Sequence, residues 1–138
     1  MPNEACGLIG GVRSVGQSSD ERSTDPFGDI WEARSVIPVK NAKMSPTTFA
    51  LDGAEMIAAE ERLDELGDEV IGVWHSHPTS QAIPSETDLS DAKQYDPNGV
   101  FVHVIVSMQG FAPIVSAYSY REDARHPLRK YWLVRLGS

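Results

Sequence analysis

The chain has 138 residues, 41% hydrophobic and 23% charged, enough for one globular domain, taken as residues 1–138, that buries roughly two-thirds of its unfolded surface. Twelve basic against 20 acidic residues give a net charge of −8, which leaves no basic face for phosphates and excludes nucleic acid as the expected partner. A single cysteine excludes an internal disulfide, and neither a signal peptide nor an apolar run of about 20 residues is present, so the expectation is a cytoplasmic protein with no membrane segment.

Residues 6–12 form a short, glycine-containing apolar run that reads as a buried strand. Residues 13–28 are rich in Ser, Asp, Gly and Pro and read as a loop. Residues 30–39 carry the β-branched and aromatic content of a second strand, which Pro38 ends or confines to a sheet edge, and the two strands make a hairpin. Residues 52–66 are the clearest helix: Asp52 can cap it, with Glu55 three positions later in a variant of the capping box, and Gly67 closes it. Met56, Ala59, Leu63 and Leu66 form its apolar stripe, while Glu60, Glu61, Asp64 and Glu65 read as a solvated face.

Residues 70–74 read as a strand running into His75. A second helix spans residues 85–95 and ends at Asp96-Pro97-Asn98-Gly99. Strands over 100–107 and 114–120 follow, joined around Gly110, with a last strand over 131–136 after a break at Pro127. Mixed strands and helices with a β-α-β unit over 70–107 suit a three-layer α/β fold.

The chemistry concentrates in His75-Ser76-His77-Pro78, followed by Ser85 and Asp88. Histidines at i and i+2 share one face of an extended strand, and a carboxylate on the first turn of the next helix can close on the same point. Two imidazoles and one carboxylate leave a fourth tetrahedral position open, the pattern of a catalytic rather than a structural zinc site. A plainer reading makes the histidines polar side chains in a turn. It also makes Ser85 a helix N-cap with Asp88 favoured by the helix dipole, and the two readings of Ser85 and Asp88 are compatible. Cys6 reads as a small buried apolar residue, and Ser76, on the opposite strand face, as a packing or backbone-bonding side chain. His103 reads as a satisfied, partly buried histidine, and His126 as a loop residue. Trp31, Trp74 and Trp132 read as packing, with Trp74 also a candidate for lining the site.

The full spacing H-x-H-x7-S-x2-D resembles the signature of the JAMM (MPN+) metalloproteases. Residues 2–11, with Glu4 before Ala5-Cys6-Gly7, are similar to the family's first strand. Asn41, Ser45-Pro46 and Phe49-Ala50-Leu51-Asp52 resemble the stretch leading to its long helix. The resemblance runs from Pro2 to about Tyr120. It implies a curved mixed sheet sandwiched by helices in a cytidine-deaminase-like fold, and one Zn2+ per chain on His75, His77 and Asp88. It further implies Ser85 as the oxyanion donor and Glu4 as the general base. Members usually carry a helix ahead of the Glu-containing strand, whereas three residues precede Glu4 here, so the expectation is a truncated start or a version without that helix. The chain is too short for the inserted loops of ubiquitin-chain-specific members, which points to the compact prokaryotic type. Such members cleave after the Gly-Gly tail of β-grasp sulfur carriers or ubiquitin-like modifiers. The alternatives are a non-catalytic binding platform, a zinc deaminase, which would need a Pro-Cys-x-x-Cys segment lacking here, and cell-wall peptide cleavage.

Overall fold

The computed structural model describes residues 3–14, 30–43, 50–120 and 126–127. In chain order these form β1 (Cys6–Ser14), β2 (Ile30–Val39), α1 (Gly53–Glu65), β3 (Glu69–His77), α2 (Glu86–Tyr95), β4 (Val102–Ser107), β5 (Ile114–Ser119) and β6 (His126–Pro127). They build one mixed sheet in the order β2-β1-β3-β4-β5-β6. β1 pairs antiparallel with both β2 and β3, while β3 and β4 run parallel because α2 carries the crossover between them. The expected hairpin and β-α-β unit are therefore both present. Pro38 lies on the edge strand β2, where a missing N–H is tolerated.

The register fixes what faces what. Leu8 pairs with Val73, Cys6 with His75, and His75 with Ile105, so these side chains share one face of the sheet. α1 packs Ala59 and Leu63 against Leu8, Val39 and Val73 on that face. α2 packs Ala92 there too, with Ile105, Tyr118 and Tyr120. The opposite face carries Ile9, Ala117 and Val102, with Trp31 and Trp74 against them. Trp74 is thereby on the far side of the sheet from the histidines and does not line the site. The alternation that places His75 and His77 on one face puts Trp74 and Ser76 on the other. Register shifts at Ile9/Gly10 and Gly10/Gly11 are bulges, which bend and twist the sheet.

α1 begins at Asp52, whose carboxylate accepts from the Glu55 N–H at 3.0 Å. The reciprocal half of the box is not made: Glu55 Oε1 instead accepts from the Lys40 N–H at 2.9 Å and ties the helix to the end of β2. The helix closes in a Schellman motif, with Asp68 N–H on the Leu63 carbonyl, Gly67 N–H on that of Asp64, and Gly67 at φ 76°. Leu66 is the C-cap and is half exposed, so the apolar stripe effectively ends at Leu63. Burying Leu63 alone contributes about 2–3 kcal/mol.

β1 extends through Arg13 and Ser14, and the rest of the expected loop lies outside the described residues. The expected strand over 131–136, with Trp132, also lies outside them. His126 and Pro127, read from sequence as loop and break, pair with Ser119 and Tyr118 as a short edge strand. No helix among the described residues is long and apolar enough to cross a membrane.

Candidate metal centre

β3 continues through His77 before Pro78 turns the chain, so both histidines sit on the strand rather than beyond it. They project from the face that the helices cover, and both are buried. The loop from Pro78 to Pro84 is pinned beneath them. The Ser107 hydroxyl donates to the Ser80 carbonyl at 2.6 Å, and the Tyr118 hydroxyl to the Ala82 carbonyl at 2.7 Å. That fixed loop delivers Ser85 as the N-cap of α2. A complete capping box follows: Ser85 Oγ accepts from Asp88 N–H at 3.0 Å, and Asp88 Oδ2 accepts from Ser85 N–H at 2.9 Å. The cap orients Asp88 inward, where it is buried.

The three side chains converge on one point. His75 Nε2 and His77 Nε2 are 3.1 Å apart, and Asp88 Oδ2 lies 3.2 Å and 3.1 Å from them. A tetrahedral centre with bonds of about 2.0–2.2 Å has ligand–ligand edges of about 3.3–3.6 Å, so the triangle needs to open by only a few tenths of an ångström. The proton inventory supports a cation at its centre. His77 Nδ1 lies 2.7 Å from the Gln81 carbonyl, an acceptor, so Nδ1 carries a proton and neutral His77 presents the Nε2 lone pair to Asp88. The His77 lone pair and a carboxylate oxygen at 3.1 Å are stabilised by a proton or a metal ion between them. The electrostatics point the same way. Burial draws the His77 pKa down, but hydrogen bonds with Asp88 and the Gln81 carbonyl outweigh it and leave the value raised. Burial pushes Asp88 up, but hydrogen bonds from His75 and His77 hold it well below the usual carboxylate range. Three protein ligands of N and O type leave room for a fourth, as in a catalytic metal site.

Glu4, from the far end of the sequence, feels the charges of this cluster. Cys6 pairs with His75, and Ser76 N–H donates to the Ala5 carbonyl at 2.9 Å, so extending the register sets Glu4 opposite His77 on the same face. Glu4 is 3% exposed and its Oε1 has no hydrogen-bond partner among the described residues. Burial, reinforced by the charge of Asp88 and partly offset by His77, pushes its pKa up to about 7. A carboxylate poised there exchanges protons readily near neutrality. Ser85 is exposed at the mouth of α2, its oxygen accepting from Asp88 N–H while its own O–H proton is left for a further acceptor.

The remaining titratable candidates have structural duties. His103 Nε2 bonds Asp96 Oδ2 at 2.7 Å, and the ring packs against Tyr120 in a tilted arrangement with centroids 4.2 Å apart, so it is satisfied and more deeply buried than its sequence suggested. The Cys6 thiol donates to the Val39 carbonyl, and burial pushes its pKa up to about 11, which makes it inert. Trp31 Nε1 donates to the Val100 carbonyl at 2.9 Å, a packing role. The carbonyl that sets the His77 tautomer escapes sequence reasoning altogether, because backbone groups carry no residue signature. Asn41 had a signal, an Asn just past a strand where Asx turns form, and its side chain indeed accepts from Lys43 N–H at 3.1 Å.

The chain matches the prokaryotic homologs of the JAB domain (Prok-JAB) over residues 1–120. It is 29% identical over 133 residues to the CysO-cysteine peptidase of Mycobacterium tuberculosis, covering 96% of this chain and 70% of that protein. It is 32% identical over 88 residues to the desampylase of Haloferax volcanii, covering 63% of this chain and 52% of that one. Among solved structures it resembles protein DSY2949 from Desulfitobacterium hafniense, with a TM-score of 0.68 and 28% identity over 92% of this chain and 76% of that one.

Proposed function

The chain belongs to the family of prokaryotic homologs of the JAB domain, and on that premise we propose that it is a cytoplasmic zinc-dependent peptidase and isopeptidase. Its substrate is a small β-grasp protein, ubiquitin-like or sulfur-carrier in type, and the bond cleaved is the one after the C-terminal Gly-Gly. The observation that carries this reading is the convergence of His75, His77 and Asp88 on one point, with a buried carboxylate, Glu4, electrostatically coupled to Asp88 and His77 and its Oε1 without a hydrogen-bond partner among the described residues. The names of its relatives, a CysO-cysteine peptidase and a desampylase, support the substrate class.

In this reading His75 Nε2, His77 Nε2 and Asp88 Oδ2 hold one Zn2+ per chain. A zinc ion there supplies Lewis acidity towards the scissile carbonyl and makes hydroxide available near neutral pH. Glu4 takes the proton from the attacking water and returns it to the leaving amine, a role open to a buried carboxylate whose charged form a neighbouring cation favours. Ser85 donates its O–H to the oxyanion, and its fixed place in the capping box aims the hydroxyl without reorganisation. A diglycine tail has no side chains and can lie extended in a narrow approach to the buried metal centre.

The test is the intact mass of a Gly-Gly-tailed β-grasp protein extended by one cysteine or by a lysine-linked peptide, after incubation with the zinc-loaded protein. The expected product ends at the diglycine and is absent with Glu4→Gln or with chelator. An unchanged mass across a panel of such carriers, with zinc bound, would reject the peptidase and favour a binding platform.

A further inference from the structure

A catalytic carboxylate must be held within a fraction of an ångström, yet Glu4 has no hydrogen bond to Oε1 among the described residues. That leaves a part for the backbone, and Glu4 lies two residues ahead of the first residue of β1. The peptide unit joining Glu4 to Ala5 is gripped on both edges by side chains from different parts of the fold. Its carbonyl, Glu4 O, accepts from Asn41 Nδ2 at 3.0 Å. Its N–H, on Ala5, donates to Ser76 Oγ at 2.8 Å.

Each gripping residue is itself anchored. Asn41 is buried just past β2, and its Oδ1 accepts from Lys43 N–H at 3.1 Å and from Ala50 N–H at 3.0 Å. Asn41 also bridges Leu51, which packs under α1. Ser76 stands between the two histidines on β3, so the bond that holds Ala5 is rigidly tied to the strand that carries His75 and His77. The Ser76 grip thus references Glu4 to the strand that carries the histidines, and the Asn41 grip holds the same peptide from the end of β2.

We propose that Asn41 and Ser76 are positioning residues for the general base: together they clamp the Glu4–Ala5 peptide plane and so set the distance from the Glu4 carboxylate to the His75–His77–Asp88 centre. This rests on the reading of Glu4 as that base. An amide suits position 41 because one atom, Oδ1, accepts from two N–H groups while a second, Nδ2, donates to a carbonyl; a carboxylate has no donor, and a hydroxyl has one polar atom for both tasks. Displacing a reacting group by about 1 Å typically costs about 100-fold in rate, and loosening one grip of two is expected to cost about tenfold or more.

Asn41→Asp keeps an acceptor oxygen for Lys43 and Ala50 and removes the donor to Glu4 O, setting a carboxylate oxygen against that carbonyl in its place. Ser76→Ala removes the other grip, and Ser76→Thr restores its hydroxyl. The measurements are kcat and KM on a β-grasp protein extended by cysteine beyond its Gly-Gly end, zinc content, and hydrogen exchange of the Ala5 amide. Asn41→Asp and Ser76→Ala should each lower kcat about tenfold or more, with KM and zinc content within twofold of wild type. Ser76→Ala should speed Ala5 exchange by at least tenfold, and Ser76→Thr should recover both. Wild-type kcat in both variants with Ala5 exchange released would overturn the clamp, as would a fall in kcat that merely tracks lost zinc. Glu4→Gln runs alongside: full activity there refutes the base itself, whereas an inactive Glu4→Gln beside a fully active Asn41→Asp refutes the clamp alone.

Discussion

The buried carboxyl of Glu4 makes the metal-free protein sensitive to alkaline pH in a way that a single isosteric change should remove. Its folded pKa, about 7, lies above the ordinary 4.5 chiefly because burial disfavours the charge. A raised acid contributes its stability below pH 4.5, where it is protonated in both states, and loses it as pH rises through 7. At about 1.4 kcal/mol per pH unit between those values, ionising Glu4 in the folded state at pH 8 costs about 3 kcal/mol relative to the unfolded chain. Glu4→Gln keeps the shape and cannot ionise. Urea unfolding in the presence of chelator should therefore find Glu4→Gln more stable than wild type by about 2–3 kcal/mol at pH 8, and by less than about 1 kcal/mol at pH 5. Zinc should shrink the gap at pH 8, because a nearby cation favours the ionised carboxylate. A stability difference of the same size at both pH values, or one favouring wild type at pH 8, would refute the argument that Glu4 is a desolvated neighbour of the metal centre.

Ser85→Ala should lower kcat about 100-fold through loss of the oxyanion donor, and unfold with about 1 kcal/mol less stability through loss of the cap. Ser85→Gly should match it in kcat while losing only a few tenths of a kcal/mol, so a parallel fall of activity and stability across the pair would argue that the hydroxyl is only a cap. Asp88→Asn keeps the acceptor for Ser85 N–H but removes the charge, and competitive chelator titration should show zinc affinity weakened beyond the roughly 10–100-fold typical of an outer-shell change. Gly7→Ala should destabilise by about 1–3 kcal/mol or more, because its new methyl meets the Ile37 carbonyl and the Trp74 indole. Gly10→Ala meets the movable end of Leu63, so thermal melts should rank it the milder of the two.

Much of this was legible because the informative residues sit on regular elements. The i, i+2 histidines and the Ser-x-x-Asp cap each follow from one periodicity, and the structure joins them at one point. Helix α1 was readable from its stripe and from Gly67, although the stripe overreached by including Leu66, which caps rather than packs. Glu55 went astray for a related reason: spacing identifies a capping-box candidate, but the competing Lys40 N–H comes from another element. Glu4 could be picked out only by its likeness to a family segment, since nothing local distinguishes it from a solvated strand end. Its approach to His77 depends on the antiparallel β1–β3 pairing across some 70 residues of sequence. The Gln81 carbonyl that sets the His77 tautomer belongs to the same category of non-local, backbone information.

One oxygen atom, Asp88 Oδ2, faces both histidines and also closes the capping box with Ser85. A lineage drifting towards an inactive scaffold could discard His75 or His77 and still start α2 normally. Replacing Asp88 with an apolar residue would instead remove one half of the capping box along with the ligand, weakening the first helical turn. Decay of such a domain should therefore be lopsided, erasing imidazoles early and keeping an acceptor at position 88 long after catalysis is gone. An acidic residue there, seen by itself in a distant descendant, would testify to the helix and not to the reaction.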